Sequence, residues 1–182
     1  MIKKKEIESR ILQLIYLAEC DIECCAVIFK KKLKFSPAVE SYLILTGNNH
    51  FFEAVNMVKT ILHPTKNANE ISFQLWENKG GGKASDDIDK IKNDFKSQKF
   101  LQIRHTITAH ANFEHYGDPE LKAIVPVSDN HINGLSQIIL RLAKYCREVF
   151  QDPIVNNYLL KGSKGGLEDI LATMQIATIS RG

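Results

Sequence analysis

The feature that most constrains this chain lies at its beginning. Apolar residues recur at Ile7, Ile11, Leu14, Ala18, Ile22, Cys25, Phe29 and Leu33, each step three or four residues. That is the period of an α-helix with one buried stripe, and no strand can present such a pattern on one face. The spacing predicts a helix from Lys4 to Leu33, with lysines at its C-terminal end, where the helix dipole favours positive charge. A single-faced helix of that length needs partners, so the rest of the chain must supply further apolar stripes.

It does so repeatedly. Ser36-Pro37 reads as an N-cap followed by proline at the first helical position. Ala38 to Leu45 fits a short helix, and Tyr42 to Leu45 alone fits a strand equally well; Thr46-Gly47-Asn48-Asn49 then reads as a break. A second clear helix covers Phe51 to Leu62, stopped by Pro64. Asn67-Ala68-Asn69-Glu70 has the form of a capping box, opening a helix to about Asn78. Lys79-Gly80-Gly81-Gly82-Lys83 reads as a flexible link; it is no phosphate loop, since Ala84 stands where the Walker pattern requires Ser or Thr. Ser85 caps the next helix, predicted to run to Asn112 with Ile88, Ile91, Phe95, Ile103 and Ile107 on its core face. After a polar loop from Glu114 to Pro126, Ser128 opens a helix to Phe150, ended by Pro153. Ile154 to Leu160 fits a further turn or two, and Leu167 to Ile179 a last helix after a glycine-rich joint.

The expected fold is therefore all-α: an antiparallel bundle of four to five main helices with short helices between them. With 182 residues, the chain is expected to form a single domain over 1–182, with 166–179 as a candidate appendage that packs on its own bundle or on a neighbouring subunit. No apolar stretch is long enough to span a membrane, and the weak signal-like start is interrupted by Glu6, Glu8 and Arg10; a cytoplasmic protein is expected. Cys20, Cys24, Cys25 and Cys146 form no CxxC pair and read as small, reduced core residues. The net charge of +3 neither requires nor excludes nucleic acid, which needs only a local basic patch. Lys30-Lys31-Lys32 with Lys34, and Arg141 with Lys144 and Arg147, are candidate patches, each more simply read as a solvated helix face.

Arg104-His105-Thr106-Ile107-Thr108-Ala109-His110 is harder to read as core or surface. Three strongly polar side chains crowd a segment whose Ile103 and Ile107 already face the core. This arrangement resembles the HEPN superfamily of helical proteins, whose motif is Arg, four to six residues, then His, often with Asn, Asp or His directly after the Arg. Here five residues separate Arg104 from His110, and His105 fills the second position. The Ala109-His110 ending is similar to a bacterial branch linked with phage abortive infection. Met57 to Pro64 resembles the end of that branch's second helix, and Ser128-Asp129-Asn130 opens the following helix, so the resemblance covers about 49–150. His105 stands where that branch usually has Asp. Asn112 stands where some HEPN toxins carry a Tyr, so regulation through a modified tyrosine is not implied.

The resemblance implies a metal-independent endoribonuclease without a cofactor, acting as a toxin or phage-defence effector, with an antitoxin as a candidate partner. RNA would be its substrate, cut by attack of a 2′-hydroxyl on the adjacent phosphate. His110 suits the proton shuttle, because imidazole titrates near neutrality. Arg104 suits stabilisation of the phosphate charge, and His105 an auxiliary role. On a regular helix Arg104 and His110 point about 120° apart, so a homodimer that brings two motifs to one cleft is expected. The competing class is a non-catalytic helical dimerisation or binding module. A metal site built on His105, His110, His115 and His131 is disfavoured, since a five-residue spacing does not place ligands on one helical face.

Overall fold

The computed structural model describes residues 2–30, 36–64, 70–103 and 126–150. Among them the secondary structure is helical throughout: α1 (Lys4–Lys30), α2 (Pro37–Leu62), α3 (Phe73–Asn78), α4 (Asp86–Ser97) and α5 (Asp129–Val149), with a further helical start at residues 100–103. The chain is an all-α helical bundle, as its periodicity predicts.

The long helix α1 packs chiefly along α2 and also against α5. Phe29 meets Gly47 and Asp21 meets His50, so the first two helices run in opposite directions. In the second pair, Asp94 meets Arg141, Gln98 approaches Gly134, and Phe100 meets His131; α4 and α5 are likewise antiparallel. Most of the predicted stripe of α1 is buried: Ile7, Ile11, Ala18, Ile22 and Cys25 are all at most 3 % exposed, whereas Leu14 and Phe29 are half-buried, Leu12 and Ile15 are buried in addition, and Leu33 lies outside the described residues.

The expected break at Thr46-Gly47-Asn48-Asn49 does not occur. One continuous helix spans Pro37–Leu62, so neither a separate short helix nor a strand precedes it. Gly and Asn are poor helix formers, costing about 0.5–1 kcal/mol each, and here their packing outweighs that cost. Gly47 lies beneath the Phe29 ring, where a Cβ would stand 2.6 Å from Cζ. Asn48 is 2 % exposed, and its Oδ1 accepts a hydrogen bond of 3.0 Å from the Val127 N–H. Residues that look like a breaker in one dimension are thus the contact points of a crossing in three. Asn48→Ala is expected to cost about 1–3 kcal/mol, because the Val127 N–H loses this buried acceptor; urea unfolding measures it, and a loss below about 0.5 kcal/mol would contradict this role.

Two further boundaries differ from expectation. Glu70 and Ile71 are not helical, and α3 begins at Phe73 with Ser72 as its cap, the Ser72 Oγ accepting from the Leu75 N–H at 3.2 Å; residues 67–69 of the proposed capping box lie outside the described residues. The glycine link is not a free tether. Gly80 and Gly82 have φ of +82° and +89°, which favour glycine, and Gly81 lies so close to the indole of Trp76 that a Cβ would stand 2.2 Å from it. Ala84 N–H donates to Glu77, and Ser85 N–H to the Tyr145 hydroxyl at 3.3 Å, tying the link to α3 and α5.

The fourth difference matters most for the site. One helix was expected from Ser85 to Asn112. Ser85 does cap α4, accepting from the Asp87 N–H at 3.3 Å, but the helix stops at Ser97. Lys99 takes φ +53°, the left-handed region, and its carbonyl starts a new helical run by accepting from Gln102 and Ile103. The reason lies in two aromatic residues. Phe95 and Phe100 would point about 140° apart on an unbroken helix, yet they are 3 % and 1 % exposed with ring centroids 5.5 Å apart. The break rotates the second segment so that both reach the core. The Ile154–Leu160 turn and the Leu167–Ile179 helix lie outside the described residues.

Candidate functional site

Arg104, His105 and His110, the residues singled out from the sequence, lie outside the described residues, as does His115. The described chain leads directly to them. The helical run that begins after the break is described to Ile103, which is half-buried against the core.

At this break the surface opens into a cavity of about 670 Å³. Lys59 and His63 from the end of α2, Phe95 and Lys96 from the end of α4, and Lys99 to Gln102 line it. Phe95 and Phe100 form an apolar floor, Leu101 is half-buried, and His63, Lys96 and Lys99 stand exposed at the rim. None of the ion pairs among the described residues involves Lys59, Lys96 or Lys99. The cavity therefore gathers unneutralised positive charge over an apolar base. This cluster was not legible in the sequence: Lys59 and Lys96 are far apart along the chain, and each reads singly as a solvated surface lysine.

His63 has an unusual environment for an exposed histidine. Its ring lies against Phe95, with centroids 6.2 Å apart and an interplanar angle of 32°. Partial burial of the ring pushes its pKa below the ordinary imidazole value. A hydrogen bond with the Lys92 backbone acts the other way, and the charges of Lys92, Lys96 and Lys59 push it down again. His63 is accordingly a neutral aromatic surface at pH 7, surrounded by cations.

The sequence-derived basic patch on α5 has a different character. Arg141 is bound to Asp94 across the α4–α5 seam. Burial and then the charge of Glu23 push the Glu19 carboxyl up, and the nearby Arg147 charge opposes them. Arg141, Lys144 and Arg147 are all exposed, as a solvated helix face requires, and Arg141 in addition ties α5 to α4; Lys31, Lys32 and Lys34 of the other patch lie outside the described residues.

Two further histidines have specific partners. His50 lies within α2, and its Nδ1 is 2.8 Å from the Asp21 carboxylate of α1. His131 Nδ1 is 2.7 Å from the Ser128 Oγ, and its ring meets Phe100 edge to face. An Asp–His pair orients an imidazole as a catalytic dyad does, but the thiols that feel the Asp21 charge, Cys20 and Cys24, are unsuited to act as its nucleophile. Burial pushes the half-buried Cys24 thiol up, and the Asp21 charge pushes it further. Cys20 is also half-buried and raised, whereas Cys25 and Cys146 are buried, Cys25 being pushed up to about 12 by burial. Only the latter two fit the expectation of fully buried core thiols, and all four favour the neutral form at pH 7. Among the described residues no group of three or more His, Cys, Asp or Glu side chains is placed to hold a metal ion.

Comparison with protein families, characterised proteins and solved structures finds no match to this chain. The functional reading therefore rests on the residues themselves.

Proposed function

We propose that this protein is a metal-independent endoribonuclease of HEPN type, active as a homodimer in the cytoplasm, and a toxin or phage-defence effector held in check by a partner antitoxin. The observation that carries this reading is the Arg104-His105…His110 spacing, in a helical protein whose chain reaches Arg104 directly from a lysine-lined cavity. An antiparallel helical bundle is the architecture the reading requires, and among the described residues no helix is long and apolar enough to cross a membrane.

In this scheme His110 takes the proton from an RNA 2′-hydroxyl as it attacks the adjacent phosphorus. The bond to the 5′-oxygen breaks, leaving a 2′,3′-cyclic phosphate and, after protonation, a 5′-hydroxyl end. Arg104 stabilises the charge that develops on the non-bridging oxygens, and His105 helps to hold the phosphate. A positively charged neighbourhood raises the local concentration of a polyanionic substrate, and Lys59, Lys96 and Lys99 supply one where the described chain leads, through Ile103, into the motif sequence.

Expression of wild type beside Arg104→Ala and His110→Ala tests this, with growth and new 5′-hydroxyl RNA ends as readouts. General acid–base catalysis contributes about 10²–10⁴-fold, so cleavage is expected to fall at least about 100-fold in each variant, with helicity by circular dichroism unchanged. Equal cleavage by all three proteins would remove these residues from the mechanism. Absence of cleavage by wild type would favour a non-catalytic dimerisation module, and a monomer by analytical ultracentrifugation would count against the shared cleft.

A further inference from the structure

We infer that the cavity between the ends of α2 and α4 is a binding site for a single phosphorylated nucleoside, its phosphate held by Lys59, Lys96 and Lys99 and its base laid on the exposed face of His63. The inference goes beyond ribonuclease activity and does not depend on it, since it concerns equilibrium binding by described residues alone.

Four observations converge on it. The first is size: about 670 Å³ lies within the range of about 300–1,000 Å³ typical of small-ligand sites. The second is charge. Three lysines, one from α2 and two from the end of α4 and the turn that follows it, border one cavity, and none takes part in an ion pair among the described residues. Mutual repulsion makes such a grouping unfavourable when empty, and a phosphate relieves it.

The third is the aromatic surface. His63 is an exposed residue at the cavity, its ring tilted by 32° against that of Phe95 at 6.2 Å, and base stacking on an aromatic ring contributes about 1–3 kcal/mol. The fourth is backbone geometry. Lys99 is the one non-glycine residue with positive φ among those described, and it lines this cavity. The same break that buries Phe100 sets this conformation, and it brings Lys99 to the border of the cavity. A plain anion site would need only the lysines, and a plain apolar site only Phe95, Phe100 and Leu101. The combination matches a ligand with one dianionic and one flat end.

Protonation of the cavity should be linked to binding. Partial burial first, and then the charges of Lys92 and Lys96 of α4 and Lys59 of α2, hold the His63 pKa down in the free protein, against a hydrogen bond with the Lys92 backbone. A bound phosphate offsets the lysine charges and favours the imidazolium. Binding then takes up a proton at His63, so affinity should rise as pH falls from about 8 towards 7, above the range in which the phosphate, with a second pKa of about 6, is itself protonated.

The test is titration of the full chain with four probes, adenosine monophosphate, inorganic phosphate, adenosine and a cleavage-resistant 2′-O-methyl RNA oligonucleotide, read from the imidazole NMR signals of His63. The expected result is saturable movement with adenosine monophosphate at least about ten times tighter than with inorganic phosphate or adenosine, since a stacked base contributes about 1.4 kcal/mol or more. A Lys96→Gln, Lys99→Gln double variant, altered only at exposed positions, should bind at least about tenfold more weakly and with a shallower salt dependence. His63→Gln, followed by the ligand's own signals, should lose the rise in affinity on acidification.

The oligonucleotide separates the two sources of this chemistry. Binding of both nucleotide and strand marks a subsite for one unit of RNA. Binding of the mononucleotide alone marks a free nucleotide as the ligand. No movement of His63 with either at millimolar concentration, or equal affinity for phosphate and nucleotide, would overturn the inference. The ribonuclease reading fails separately: Arg104→Ala and His110→Ala test cleavage, whereas the Lys96→Gln, Lys99→Gln double variant tests mononucleotide binding.

Discussion

Trp76→Ala should be the most destabilising of the substitutions considered, at about 3–5 kcal/mol. Trp76 is the only tryptophan of the chain, is 2 % exposed, and lies at the centre of one of two aromatic clusters. Phe73 meets it edge to face at 6.3 Å, and Phe150 lies 5.4 Å away. The backbone of Gly81 closes directly over the indole, so the ring has nowhere to move and the hole left by its removal cannot collapse easily. Its Nε1–H donates to the Glu8 carboxylate at 2.9 Å, and Glu8 itself is only 8 % exposed. Truncation therefore also leaves a nearly buried carboxylate with Lys4, 3.7 Å away, as its remaining described ion-pair partner. Total stabilities of single domains are about 5–15 kcal/mol, so the variant should be close to unfolded at 37 °C.

Urea unfolding followed by circular dichroism measures the effect, and a loss below about 1 kcal/mol would contradict it. Trp76→Phe separates the two contributions. It keeps most of the apolar volume and removes the N–H, for an expected loss of about 1–3 kcal/mol. Adding Glu8→Leu to that variant should recover part of the loss, because neither polar partner then remains buried.

Phe100→Ala is expected to cost a comparable amount, about 3–5 kcal/mol, and to damage the candidate site as well. Phe100 is 1 % exposed and joins three helices: its ring meets Phe51 of α2 at 5.9 Å, Phe95 of α4 at 5.5 Å and His131 of α5 at 6.5 Å. Burial of this ring is also what keeps Lys99 in its left-handed conformation. Without it, the chain after α4 has no anchor holding the second helical segment in its rotated phase. Trp76 lies in the other aromatic cluster, so its fluorescence reports global unfolding of this variant. Both a lowered urea midpoint and a weakened His63 response to adenosine monophosphate are expected. Phe100→Leu, which fills most of the space, should retain the binding response. A Phe100→Ala protein of wild-type stability would mean that the break at Lys99 has another cause.

The elements that were legible in the sequence are those whose apolar residues keep one phase. The stripe of α1 and the run from Ile132 to Cys146 in α5 repeat every three or four residues without interruption, and their buried faces are the ones predicted. Helix starts written in local chemistry were legible too: Ser85 caps α4 through its side chain, and Pro37 marks the first position of α2, although the Ser36 side chain makes no capping hydrogen bond.

Where the reading went astray, the deciding contact came from far along the chain. Gly47 and Asn48 look like a break until Phe29 and Val127 are placed beside them. Ile88, Ile91 and Phe95 suggest one long helix until Phe100 must reach the same core. The cavity follows the same rule. Arg104 and His110 attract notice because their spacing is local, whereas Lys59, His63, Lys96 and Lys99 converge only through the packing of α2 and α4. Periodicity and capping are short-range and survive in one dimension, so the sequence by itself determined an all-α bundle and the positions of most of its helices. Phase shifts, buried crossings and clustered charge depend on which surfaces meet, and only the tertiary structure decided them.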